Sequence, residues 1–380
     1  MPYPVKPFAI LILLAGLAST IACKKNGSNP APPPGTDKKP SVYLLGTTGD
    51  SIVYWKDDTL VLVDTMSTHR PGSLTPQETN LTGIAVAGGH VYVSGWITWN
   101  NGQIVYGIPM LWTDGKMTLL PDPSNQGTTG GVFANGSDVY VVGNVGTARG
   151  RAAVVWKNGI PSLMPDTGSL NEYVSGIAVS GSDVYVSGGN YSQYLPSSSA
   201  SYYACYWKNG QIHSLDSGLI EFYPASTLIL GYPTTTGLFV SGSDVYISGK
   251  KDSAFPSSTP QSYSYKERAM YWKNGTPVLL PVTDQGTEAL AIVEANDNVY
   301  LAGIVNYIGS YGATMWKNGV LQPIPFPGIK SSANGIAVSG TDVYVAGVEY
   351  INGKSYATRW KNNVATHLGT GGAAYKIIVQ

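Results

Sequence analysis

Short apolar runs, broken by Gly, Asn, Asp and Ser, recur along almost the whole chain. The clearest unit is 335–368, GIAVSGTDVYVAGVEYINGKSYATRWKNNVATHL. It contains an apolar run closed by Gly340, a Val-Tyr-Val run after Thr341-Asp342, a third run ending at Trp360, and a short fourth run after Asn362-Asn363. Runs of this length, rich in Val, Ile and Tyr and bounded by turn residues, predict β-strands. The second run opens at Val42, Val91, Val139, Val184, Val245, Val299 and Val343. The Trp that closes the third falls at Trp55, Trp112, Trp156, Trp207, Trp272, Trp316 and Trp360. The two series alternate strictly, and Val42 to Val343 is 301 residues over six intervals, about 50 per unit. Four short strands at that period predict one propeller blade per unit. The expectation is an all-β, seven-bladed β-propeller of four-stranded antiparallel blades over residues 41–380.

The finer pattern agrees. A sheet with one wet face alternates apolar and polar residues, whereas these strands do not; a blade sandwiched between two others has both faces buried. The repeated Trp and Tyr would fill the wedges between blades, each burying roughly 150–250 Å². Asn-Gly follows the Trp run at Asn158-Gly159, Asn209-Gly210, Asn274-Gly275 and Asn318-Gly319. Both residues tolerate positive φ, so the pair predicts a two-residue hairpin. The first unit starts directly at Ser41-Val42, without an innermost strand, and the chain ends in AAYKIIVQ, a spare one. Pairing the two would close the ring and remove its exposed edges.

The first 40 residues depart from this pattern. Residues 1–22 combine Lys6 with an apolar run from Phe8 to Ala22, which predicts an export signal too short to span a membrane. Thr20-Ile21-Ala22-Cys23 resembles the lipobox of bacterial lipoproteins, with Thr where Leu is usual. The resemblance implies cleavage before Cys23, lipidation of its thiol, and a place in the bacterial cell envelope as an outer-membrane lipoprotein held by acyl chains. Lys24–Pro40 is rich in Pro, Gly and Lys and predicts a tether. The expected divisions are therefore 1–22, 23–40 and 41–380.

The VYVSGG … YWKNG order resembles kelch and WD-repeat propellers, and more closely bacterial propeller lipoproteins built from VYVAG … AxYWKNG units. The resemblance covers about residues 41–380 and implies fold and compartment. It brings no catalytic residue: kelch carries its Trp after the turn that follows here, and no Tyr, His and Cys cluster for copper is visible.

Charged residues make up 12% of the chain and balance to zero, which leaves no basic face for nucleic acid. Cys205, in a predicted strand beside Tyr206 and Trp207, reads as a small buried hydrophobe, and a disulfide framework is excluded. His69, His90, His213 and His367 lack ligand spacing, so neither metal nor cofactor is expected, and a monomeric ring is.

Function is sought where the units differ. Recurrent Asp138, Asp183, Asp244 and Asp342, with Lys157, Lys208, Lys273, Lys317 and Lys361, predict a solvated, charge-balanced rim on one face. The opposite face takes the insertions: Val-to-Trp spacing grows from 17 residues in several units to 23 at Trp207 and 27 at Trp272. Elaborated loops on a rigid scaffold are where binding concentrates. Trp96, Trp99, Tyr191, Tyr194, Tyr202 and Tyr203 are the candidate ligand-binding residues there, able to stack on sugars or grip a peptide. Asn80, Thr128, Tyr173, Thr234, Glu288 and Ser332 are expected around the central mouth. Among them, with Glu172 alongside, Glu172, Tyr173 and Glu288 are the candidates for acid–base chemistry. The preferred expectation is a non-enzymatic platform for a glycan or protein ligand; the runners-up are a glycan-active hydrolase or lyase and a structural member of an envelope complex.

Overall fold

The computed structural model describes residues 39–65, 75–100, 105–165, 171–194, 199–223, 226–229, 233–256, 263–281, 285–325 and 327–380. The signal, Cys23 and most of the tether lie outside them. Pro40–Gln380 forms one compact unit, with no helix among the described residues.

Five antiparallel four-stranded sheets are named here by their Trp. The Trp55 blade comprises Ala374–Val379, Val42–Thr48, Ser51–Lys56 and Thr59–Thr65; the Trp112 blade comprises Thr75–Ala87, His90–Asn100, Val105–Thr113 and Lys116–Leu119. The Trp272 blade runs through Pro233–Ser241, Asp244–Pro256, Tyr263–Lys273 and Thr276–Leu279. The Trp316 blade runs through Thr287–Ala295, Asn298–Tyr307, Ser310–Lys317 and Val320–Pro323, and the Trp360 blade through Lys330–Ser339, Asp342–Ile351, Lys354–Lys361 and Val364–Thr370.

A sixth sheet has nine strands. It joins Thr128–Asn135, Asp138–Thr147, Gly150–Lys157 and Ile160–Leu163 to Asn171–Ser180, Asp183–Tyr194, Ser199–Lys208, Gln211–Tyr223 and Ser226–Ile229. Five four-stranded blades therefore stand as separate sheets where seven were expected. The physical reason is one parallel bridge, Arg151 to Asn171, which ties the Trp156 half of the large sheet to the Trp207 half. The fold is an all-β propeller. The innermost strands, from both halves and all five blades, line a single axial channel.

The ring closes through its ends. Ala374–Val379 pairs antiparallel with Val42–Thr48, Val42 facing Val379, and Ser41 and Gln380 exchange backbone hydrogen bonds of 2.6 and 2.9 Å. The Trp residues explain the packing between blades: Trp55, Trp112, Trp156, Trp207, Trp272, Trp316 and Trp360 are all fully buried. Three of them hydrogen-bond to the preceding sheet or the loop beyond it: Trp55 Nε1 donates to Leu368 O (3.2 Å), Trp112 Nε1 to Asp64 Oδ2 (2.8 Å) and Trp156 Nε1 to Pro121 O (2.9 Å). The glycine closing each Val-Tyr run makes room for the ring. A Cβ on Gly143 would stand 2.0 Å from Thr128 O and 2.7 Å from Trp156 Cζ3.

The Asn-Gly hairpins have the predicted backbone, with Asn158 at φ 51° and Gly159 at φ 80°. Each Asn also stitches the turn face together. Asn158 Oδ1 accepts the Val139 N–H at 2.8 Å, and its Nδ2 donates to Asp138 Oδ1 at 3.1 Å. Lys157 pairs with Asp138 at 2.8 Å and lies over the Tyr140 ring; the Trp207, Trp272 and Trp360 units repeat the arrangement. The Trp112 blade substitutes His90, whose Nδ1 lies 2.6 Å from Asp114 Oδ2.

Candidate functional site

One strand position builds the mouth opposite the turn face. The residue after the Val-Tyr glycine is Trp96, Asn144, Gly189 or Lys250 in successive units, and Trp96, Asn144 and Lys250 face the innermost strand of the next. Asn144 shows the geometry most fully: its Nδ2 donates to Glu172 O at 2.9 Å and its Oδ1 accepts the Val174 N–H at 3.2 Å. At Trp96 the same position opens a cavity of about 550 Å³, lined by Gln126, Thr128, Asn144, Arg151 and Tyr173 among others. Trp96 is half-buried there, an aromatic face beside amides, hydroxyls and a guanidinium.

The cavity wall is preorganised. Asp122 accepts from the N–H groups of Ser124 (2.9 Å), Gln126 (3.0 Å) and Gly127 (2.7 Å), and from Ser124 Oγ at 2.5 Å. Ser124 Oγ also accepts the Gly146 N–H at 2.9 Å, which fixes this loop to the neighbouring strand. Arg151 Nη2 donates to Gln126 O at 3.0 Å; burial pulls its pKa down, and Asp122 opposes that pull. Three polar atoms around the mouth are buried without a partner: Asn80 Nδ2, across the ladder from Trp96, Thr234 Oγ1, across from Lys250, and Asn190 Oδ1. A buried polar atom left unpaired is costly, so each calls for water or a ligand.

The three acid–base candidates do not share one pocket. Glu172 is 3% exposed, and its Oε2 accepts the Ala153 N–H from the neighbouring half-sheet at 2.8 Å. Thr287 and Ser331, at the same offset in their blades, accept the Ala269 and Ala313 N–H groups in the same way, so the Glu172 carboxylate occupies a repeated joint position. Tyr173 lines the Trp96 cavity, and its Oη accepts the Thr235 N–H at 3.3 Å. Glu288 lies instead with Lys250 and Glu267. Lys250 Nζ is 3.3 Å from Glu288 Oε2 and hydrogen-bonded to Glu267 Oε1, so one ammonium bridges the two carboxyl groups. Burial, helped by the Glu267 hydrogen bond, pushes Glu288 up to about 7. Burial also raises Glu267, but hydrogen bonds with Glu288 and Lys250 outweigh it and hold that carboxyl below its ordinary value. Asp252 is raised by burial and by the charge of Glu267.

Tyr203 is exposed at the loop face. The side chains of Trp99, Tyr191, Tyr194 and Tyr202 lie outside the described residues, although the backbones of Tyr191 and Tyr202 pair across the ladder. Sequence reasoning missed Asn144, Arg151, Lys250 and Glu267. Their signal was positional: Asn144 and Lys250 stand where Trp96 stands, immediately after the Val-Tyr glycine. Cys205 is buried, and burial with the nearby Glu172 charge pushes its thiol up to about 12, so it is unreactive. Among the described residues no three His, Cys, Asp or Glu side chains are grouped to hold a metal ion, and no helix is long and apolar enough to cross a membrane.

No protein-family model and no curated protein matches the chain. Solved propeller structures do. The β-propeller domain of the Trilobed protease from Pyrococcus furiosus is 11% identical, with a TM-score of 0.37 over 77% of this chain and 96% of that one. An α-L-arabinanase from Penicillium chrysogenum, solved with arabinobiose, is 10% identical, with a TM-score of 0.44 over 89% and 98%. An acylaminoacyl peptidase from Pyrococcus horikoshii is 9% identical, with a TM-score of 0.41; the chain covers 46% of that protein. At such identities the likeness concerns the fold alone.

Proposed function

We propose that the protein is a non-enzymatic glycan-binding platform, carried outside the cytoplasm on a lipid anchor at Cys23 and a flexible tether. In this reading the nine-stranded sheet counts as two bridged blades and the ring as seven. The observation that carries the binding role is the Trp96 cavity. A half-buried indole offers a stacking face, while Gln126, Thr128, Asn144 and Arg151 offer the convergent polar groups that sugar hydroxyls need. Arg151 favours a sugar that bears a carboxylate. The test is a glycan array followed by calorimetry with the selected oligosaccharide. Trp96→Ala should weaken binding at least tenfold, and Arg151→Met should discriminate against acidic sugars. Equal binding by parent and Trp96→Ala would remove the cavity from the role.

A hydrolase reading has one observation in its favour: Glu288 keeps its proton near neutrality, as a general acid must. Its geometry argues the other way. A glycosidase needs two carboxyl groups free to flank the sugar, about 5–5.5 or 6.5–9.5 Å apart, whereas Glu267 and Glu288 are both engaged by the one Lys250 ammonium. Glu267 and Glu288 are therefore read with Lys250 as one charge cluster bracing the joint between two blades. Glycan turnover abolished by Glu288→Gln would overturn the non-enzymatic reading.

A further inference from the structure

The axial channel contains one departure from a repeated pattern. Gly83, Gly131, Gly176, Gly237 and Gly335 occupy one level of the innermost strands, and Ala291 takes that level in the Trp316 blade. In the strand that closes the ring the same level is Lys376. It pairs with Leu45, one residue before Gly46, as Gly176 pairs with Ser187 before Gly188. All these residues line a channel of about 400 Å³.

Lys376 is half-buried on the channel wall, and among the described residues no acidic group acts on it; burial of the amine pulls its pKa down. The other charged residue of the lining, Glu294, accepts the Asp297 N–H at 3.1 Å beside the turn face. The surroundings of Lys376 are rich in amide groups. Innermost strands have no neighbour along the channel, so alternate N–H and C=O groups of that edge have no ladder partner. The glycines let adjacent innermost strands pack closely around the axis: Val132 N lies 2.7 Å from where a Cβ on Gly83 would stand, and Ile377 N 3.1 Å from the corresponding point on Gly335. A cation enclosed in protein without a counter-charge is costly, and a mobile anion from solvent removes that cost.

We propose that the axial channel binds a small monovalent anion, a halide or a short carboxylate, between the Lys376 ammonium and N–H groups of the innermost strands. The ion thereby supplies the counter-charge that no acidic side chain among the described residues gives Lys376. The test soaks crystals of the parent protein in sodium bromide and reads the anomalous signal. A bromide peak is expected in the channel beside Lys376 Nζ, displaced when acetate is added in excess. Acetate density in its place would identify the carboxylate as the tighter ligand. Lys376→Met should lose the channel peak while keeping any surface bromides, and Lys376→Arg should retain it. In solution the parent should gain thermal stability with bromide at constant ionic strength, with half-saturation moved about tenfold or more in Lys376→Met. An empty channel in the parent at high bromide, or the same peak in Lys376→Met, overturns the proposal; the parent soak decides even if the variant fails to fold.

Discussion

Tryptophans in one packing position differ in the fate of their indole N–H, and that difference should be measurable. Trp112 Nε1 donates to the Asp64 carboxylate at 2.8 Å, whereas the Trp207 Nε1, equally buried, has no partner. Replacing either by Phe removes a similar volume from a closed wedge, a common cost of about 1–2 kcal/mol. Trp112→Phe also loses a hydrogen bond to a charged acceptor, about 1.5–3 kcal/mol more. Trp207→Phe instead relieves a buried unpaired donor, returning about 1–3 kcal/mol. The expected totals are about 3–5 kcal/mol of destabilisation for Trp112→Phe and near zero for Trp207→Phe, a gap of about 3 kcal/mol or more. Urea titration of the purified domain, followed by circular dichroism so that the lost fluorophore does not bias the signal, reads the difference from the midpoints. Trp272→Phe serves as a second unpartnered case. Equal costs at Trp112 and Trp207, or a larger cost at Trp207, would refute the reasoning and place the stability of the joint in ring packing alone.

Three other outcomes are expected. Gly143→Ala drives a Cβ into Thr128 O at 2.0 Å and should cost about 3 kcal/mol or more, whereas Gly136→Ala, at φ 58° with open space around it, should cost about 1 kcal/mol; thermal melts of the pair check this. Deleting 374–380 strips the closing strand and the buried Ala374 and Ile377 from Val42–Thr48 and should cost more than about 4 kcal/mol; a truncated chain melting like the parent refutes closure as a source of stability. Glu288 is raised from 4.5 to about 7, so between those values the folded chain holds a proton that the unfolded chain has released. Its contribution therefore falls as pH rises through that window. Glu267, held below 4.5, gains its effect as pH rises to about that value and is level above it. Glu288→Gln should flatten the profile from pH 4.5 to 7 and be about 1–2 kcal/mol more stable than the parent at pH 8, the figure discounted for partial exposure; parallel urea midpoints across that range refute the assignment.

Repetition made the ring legible and hid the site. Val-Tyr-Val before Gly, Trp, and Asn-Gly each answer a local demand that every blade shares: two buried faces, a wedge, and a turn with positive φ. Each could therefore be read from one copy and checked against the others. Sheet continuity is different. The Arg151–Asn171 bridge that merges two units depends on how closely one loop lets two half-sheets approach, and no residue type encodes that distance. Glu172 carries a structural role for a related reason. Charge marked it as chemistry, yet Thr287 and Ser331, at the same offset in their blades, are hydroxyls accepting the same kind of amide, so its oxygen also serves as a joint acceptor.

The residues that build the mouth are departures at one strand position, and register makes them comparable. Trp96 borders a cavity shared with the next innermost strand, Asn144 bridges two backbone groups of the next innermost strand, and Lys250 binds Glu288 on the next innermost strand and Glu267 in its own blade. Lys376 is the same kind of departure on the channel side, a charged residue where the level is otherwise Gly or Ala. A closed ring tolerates such changes because each joint has its own buried Trp, and three of them also a side-chain acceptor for a neighbouring amide, so a polar substitution at one joint leaves the others intact. Stability is thus distributed over the copies, and specificity can accumulate at single positions facing the mouth and the axis. The corollary is testable by exchange: Lys250→Asn, mimicking Asn144, should keep the ring folded while pushing the Glu288 carboxyl further up, because the Lys250 charge is what holds it down. A ring that unfolds on this exchange would show that the mouth residues carry the fold after all.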